Sequence, residues 1–105
     1  MIDITKLKMG NRVQFSPKSY GQITNYEIDI SNLKGTVKTD RYIDDEGDFI
    51  AVKLDKHFSD LNEWDNELHF DISKNTMANP HEMEFGTSFE YLQKAKLIEE
   101  NNHEH

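Results

Sequence analysis

The sequence predicts a small, mainly β domain: a barrel of five to six short strands with one short helix or 3₁₀ turn near its C-terminal end. Three observations carry this. Apolar residues recur with a period of two in several separate runs, glycine- and proline-bearing turns separate those runs, and only one stretch fits a helical period. At 105 residues the chain is long enough for one small core and too short for two.

Taken in order, Gly10-Asn11 precedes a first strand whose inward face is Val13 and Phe15. Ser16 to Gly21 opens a long connection. It contains a further strand candidate on Tyr26, Ile28 and Ile30, so residues 16 to 32 read as an inserted loop and strand. Gly35 to Ile43 and Phe49 to Leu54 flank the turn Asp44-Asp45-Glu46-Gly47-Asp48 and predict a hairpin, with Ile50, Val52 and Leu54 on the inner face. Asp55 to Asn66 has no regular period and reads as a loop, after which Leu68, Phe70 and Ile72 mark another strand. Asn75 to Pro80 interrupts the chain. Phe85 to Leu97 is the helical candidate, through Phe85, Phe89, Leu92 and Lys96. The domain is expected to span residues 1 to 98, with 99 to 105 a polar, flexible tail.

Several short motifs in a fixed order support a resemblance. Gly10-Asn11-Arg12-Val13 is followed by Leu33-Lys34-Gly35-Thr36-Val37, by Phe49-Ile50-Ala51-Val52-Lys53-Leu54, by Trp64-Asp65-Asn66-Glu67-Leu68 and by Tyr91 to Ile98. This order resembles the small SH3-like barrels of bacterial and phage proteins, over most of residues 9 to 98. The resemblance implies a binding module, and a barrel this small offers little room for the enclosed pocket that catalysis needs, so no enzyme is expected. In such modules aromatic side chains near the first long loop line a peptide groove or a methyl-lysine cage, which here points to Tyr20, Tyr26 and Tyr42. The chain departs from the class in the 16 to 32 insertion and in its acidity.

Charge is the second strong signal. Residues 40 to 71 hold eleven acids against three bases, which accounts for the whole net charge of −8; the rest of the chain is balanced. Such a surface repels nucleic acid, since phosphate binding needs clustered Lys and Arg, and it suits a protein partner with a basic face. The candidate partner-binding residues are Asp44, Asp45, Glu46, Asp48, Asp60, Glu63, Trp64, Asp65 and Glu67. Trp64, the one tryptophan, either anchors a partner or closes one end of the core. One sharper form of the expectation is a phage or mobile-element inhibitor that imitates DNA, its carboxylates occupying a basic nucleic-acid-binding groove. The alternative is an RNA-associated barrel using the basic N-terminal edge, Lys6, Lys8, Arg12, Lys18, Lys34 and Lys38. A small enzyme working through carboxylate pairs such as Asp60 and Glu63 comes last.

Other chemistry finds little support. The chain has no cysteine, so thiolate nucleophiles and disulfides are excluded and a reducing, cytoplasmic setting is expected. An EF-hand loop with Gly47 at its sixth position would begin at Tyr42 and end at Lys53, neither of them a carboxylate. His57, His69, His81, His103 and His105 form no spaced ligand set, so neither metal nor cofactor is expected. There is no phosphate-cradling glycine loop and no run of about 18 apolar residues. A monomer or weak homodimer fits these features.

Overall fold

The computed structural model describes residues 1–23, 26–39, 42–44, 47–72 and 86–99, with only the backbone of 42–44 and 47. The protein is mainly β, as the alternation predicts. Nine strands occur among these residues: β1 (Arg12–Gln14), β2 (Tyr20–Ile23), β3 (Tyr26–Asp29), β4 (Lys34–Val37), β5 (Tyr42–Asp44), β6 (Gly47–Leu54), β7 (Glu67–Asp71), β8 (Thr87–Ser88) and β9 (Lys96–Ile98). One short helix, α1 (Phe89–Gln93), and two 3₁₀ turns, Ile4–Lys6 and Ser59–Trp64, complete the list.

The larger sheet runs β8-β7-β6-β4-β1-β9, with β5 pairing the first half of β6. All its pairings are antiparallel except the short β7–β8 contact. The expected hairpin holds, but it is broken into two ladders on one long strand. Gly35 lies opposite Leu54 at one end of β6, and Tyr42 opposite Phe49 at the other. The tip residues 45–46 lie outside the described residues.

The second sheet is the hairpin β2–β3, in register Tyr20 with Asp29 through Ile23 with Tyr26. Thus the 16 to 32 segment contains two strands, not one, and it is no peripheral insertion: Ile23, Ile28 and Ile30 are buried in the main core. The Gln22 amide donates to the Thr87 hydroxyl at 3.0 Å, tying the hairpin to β8. Gly21 shows how closely it lies on the larger sheet, since a Cβ there would come within 2.7 Å of a Leu68 methyl. A side chain at that position would force the Leu68 methyls to shift.

The inward positions read from the sequence are largely correct. Val13, Phe15, Ile50, Val52, Leu54, Leu68 and Phe70 are buried, and Phe15 stacks on Phe70 with centroids 5.6 Å apart. Each such side chain stabilises the fold by about 1.5 to 3 kcal/mol. Strict alternation fails on β6, where Phe49 and Ala51 are also fully buried. This strand sits between β4 and β7 and is covered on both faces, which erases the polar-out pattern. Ile2, Ile4 and Leu7 add the N-terminal segment to the core, and the Ile2 amide bonds to the Gln93 carbonyl at 3.0 Å.

Near the C-terminal end, the helix is shorter than the Phe85 to Leu97 candidate, and Phe85 lies outside the described residues. Ser88 caps α1 by accepting from the Glu90 amide at 3.3 Å, and Leu92 is its buried contact. Residues 91 to 93 are helical, within the expected Phe85 to Leu97 segment, and Lys96–Ile98 pairs with β1, Arg12 opposite Ile98.

Candidate functional site

The acidic segment acquires its shape from one residue. The 55 to 66 stretch is not an irregular loop: after Phe58 it winds into the 3₁₀ turn 59–64 and ends in two consecutive left-handed residues, Asp65 (φ 55°) and Asn66 (φ 62°). Asn66 is buried, and its side chain is fully engaged. Its amide donates to the carbonyls of Leu54 (2.9 Å) and Lys56 (3.0 Å), and its oxygen accepts from the Phe58 amide (2.9 Å). Asn tolerates the left-handed region because its short polar side chain can bond locally in this way. At the base of the same loop Asp55 takes two hydrogen bonds from Arg12, at 2.7 and 2.6 Å, while Arg12 also donates to Thr36 at 2.8 Å. This bidentate pairing pins the loop to β1.

So held, the turn displays Asp60, Glu63 and Asp65 to solvent and turns Leu61 into the core. Trp64 is half-buried and packs against that core. It is therefore neither a free anchor nor a fully enclosed core residue. Together with Ile23, Leu61 and Leu68 it walls a cleft of about 30 Å³, to which Gln22, Glu67, His69 and Gly86 also contribute. That is room for a water or the tip of one side chain, far below the volume of a small-molecule pocket. The cleft lies where the β2–β3 hairpin meets the acidic turn, so its walls come from distant parts of the chain.

Tyr26 lies beside this junction. It is 45% exposed at the start of β3, and the Asp60 carboxylate acts on its hydroxyl. That interaction, with a smaller contribution from burial, holds the phenol above its ordinary pKa. Further along the same strand Asp29 accepts from the Ser31 amide at 2.9 Å. Its carboxyl is held below the usual range, first by bonding to Ser31 and then by the Lys56 charge. Lys56 and Asp60 thus act electrostatically on the two ends of β3.

The other predicted residues distribute differently. Tyr20 packs edge-on against Tyr91 of α1, with centroids 6.1 Å apart. Burial, followed by the charge of Glu27, holds the Tyr91 phenol above its ordinary value. Tyr91 was missed in the sequence because the expected helix face ran through Phe89 and Leu92; its signal is its place three residues after the capping Ser88. Asp48, expected on an exposed tip, is only 9% exposed, because β6 begins at Gly47 and draws it into the sheet. The side chains of Tyr42 and Asp44 and all of Asp45 and Glu46 lie outside the described residues, as do His81, His103 and His105.

On the basic N-terminal edge, Arg12 is committed to Asp55 and Thr36, its side chain only 10% exposed, and Lys6 lies 3.9 Å from Asp3. That edge therefore offers less to a phosphate backbone than its composition suggests. Among the described residues no group of three or more His, Asp or Glu is placed to hold a metal ion, and no helix is long and apolar enough to cross a membrane. No family model, curated protein or solved structure significantly matches this chain.

Proposed function

We propose that the protein is a non-enzymatic binding module that docks a basic segment of another protein at the junction of the β2–β3 hairpin and the 59–64 turn. The observation that carries this reading is the cleft walled by Trp64, Leu61, Ile23 and Leu68, which Glu67 also lines and beside which the turn exposes Asp60, Glu63 and Asp65. Tyr26, exposed at the start of β3, lies near enough to Asp60 for that carboxylate to act on its phenol. An Arg or Lys of the partner would lay its apolar stem on Trp64 and Tyr26 and its charge among Asp60, Glu63 and Glu67. Carboxylates around the cleft would steer such a partner and make association salt-dependent.

The same proposal includes the finer fold and setting. Strands β1, β4, β6 and β7 follow one another antiparallel, a long connection holding the β2–β3 hairpin joins the first two, and β9, preceded by a helical turn, returns antiparallel beside β1. That order supports an SH3-like barrel. A cytoplasmic setting belongs with this reading. Mimicry of DNA against a basic nucleic-acid-binding groove is its most specific form, resting on Asp60, Glu63, Asp65 and Glu67 now that Asp48 is withdrawn into the sheet.

Trp64 supplies the test, since one tryptophan makes its fluorescence a reporter of the site. Arg- and Lys-rich peptides are titrated at low and raised salt, with acidic peptides and an RNA oligonucleotide as controls. A saturable change with the basic peptides alone, weakened about tenfold in a variant carrying Asp60→Asn, Glu63→Gln and Asp65→Asn, supports the reading. Binding indifferent to salt and to those substitutions, or binding of RNA alone, would overturn it.

A further inference from the structure

The two sheets leave their edges in unequal states. The β8 edge is covered by the hairpin, through the bond from Gln22 to Thr87. The outer side of β3 carries Glu27 and Asp29, a row of like charge that a second copy of itself would repel. Strand β9 differs from both. Its residues Lys96 and Leu97 are exposed and Ile98 half-buried, and Leu97, at 54%, is one of the few large apolar side chains left in solvent among the described residues.

The hydrogen-bond phase of the sheet fixes where the β9 backbone points. The Phe15 amide bonds to Leu33 and the Val37 amide to Asn11, so Asn11, Val13 and Phe15 of the first strand direct their groups to β4. Arg12 and Gln14 must then direct theirs to β9, where they face Ile98 and Lys96. By the same alternation the N–H and C=O of Leu97 point away from the sheet, at the position where its side chain is also exposed. An edge of this kind is a template for another strand.

We infer that this edge pairs with β9 of a second copy, antiparallel about a twofold axis normal to the sheet, Leu97 against the second copy's Leu97. A twofold operation of that orientation keeps each residue on its own face, so the two leucines cover one another while their amides and carbonyls exchange two hydrogen bonds. Charge selects the same arrangement. The segment opens with Lys94 and Lys96 and closes with Glu99. Antiparallel pairing sets the basic start of each strand along the acidic end of the other, whereas parallel pairing would set base on base. Three residues per strand make a small interface, so the dimer is weak, with a dissociation constant of about 10 μM to 1 mM.

Sedimentation velocity over a range of protein concentrations, alongside amide exchange read by NMR, tests this. The native chain should shift toward dimer as concentration rises, with the Leu97 amide becoming more protected. Leu97→Pro removes only an outward N–H, so it should fold with nearly unchanged melting temperature and remain monomeric. Leu97→Lys keeps the N–H but sets like charges together, and serves as the second variant if the proline disturbs the strand. A native chain that stays monomeric at about 1 mM, or dimerisation undiminished in a folded Leu97 variant, would overturn the inference.

Discussion

Replacing Asn66 by alanine should be among the most damaging single changes outside the apolar core. The substitution removes three side-chain hydrogen bonds, to the Leu54 and Lys56 carbonyls and from the Phe58 amide. At a net of roughly 0.5 to 1.5 kcal/mol each, with these backbone groups partly or wholly out of water, the loss is about 2 to 4 kcal/mol. Alanine must also hold the left-handed conformation at φ 62° without a local hydrogen bond, which adds about 1 kcal/mol. The total, about 3 to 5 kcal/mol, is a large fraction of the 5 to 15 kcal/mol typical of a folded domain. In urea denaturation the midpoint should fall accordingly, and melting should drop by at least about 12 °C. Asn66→Gly separates the two contributions, because glycine adopts this backbone freely and loses only the bonds. A loss below about 1 kcal/mol for Asn66→Ala would refute the keystone role; equal losses for alanine and glycine would refute the conformational part.

Two further outcomes follow from the packing and the titrations. Gly35→Ala should cost about 1 to 3 kcal/mol, because its Cβ would meet the Lys53 carbonyl oxygen and a Val52 methyl, each at 2.8 Å; an unchanged urea midpoint would show that β4 can back away from β6. The phenol of Tyr26 is held above its ordinary pKa, so its contribution is fully present below the unfolded value near 10 and is lost as pH rises through the folded value. Phenolate absorbance should therefore show two tyrosines that titrate late, Tyr26 and Tyr91, of which only Tyr26 returns toward normal in Asp60→Asn; an unchanged titration would mean that Tyr26 and Asp60 do not meet.

Much of the fold was legible because burial on one face writes itself as alternation. Val13 with Phe15, and Leu68 with Phe70, needed nothing more than the period of two. The illegible parts each have a physical cause. Phe49 and Ala51 broke the pattern because β6 is covered on both faces. The 59–64 turn lacked a period since a single 3₁₀ turn buries only Leu61, and what shapes it is Asn66, a residue whose importance lies in backbone carbonyls that sequence does not show. The site was half legible: the acids and Trp64 stood out by composition, whereas Ile23, Gln22 and Tyr26 reach them only through a hairpin crossing the sheet. Asp48 was misplaced because a charged turn and a charged strand end look alike in one dimension.

The pairing of β1 with β9 joins residues far apart along the chain, Arg12 with Ile98. During synthesis the first strand must therefore wait, one side unpaired, until the chain has been made through Ile98. Closing so long a loop is slow, and the ladder that closes it comes last in any order of assembly that builds from the β6–β7 hairpin outward. In the interval Arg12–Gln14 is an open edge on an almost finished sheet, which makes the nascent chain more prone to wrong pairing than the native one. Any lesion that delays β9, including a destabilised α1 ahead of it, should be felt first as a loss of soluble yield and only afterwards as a loss of equilibrium stability.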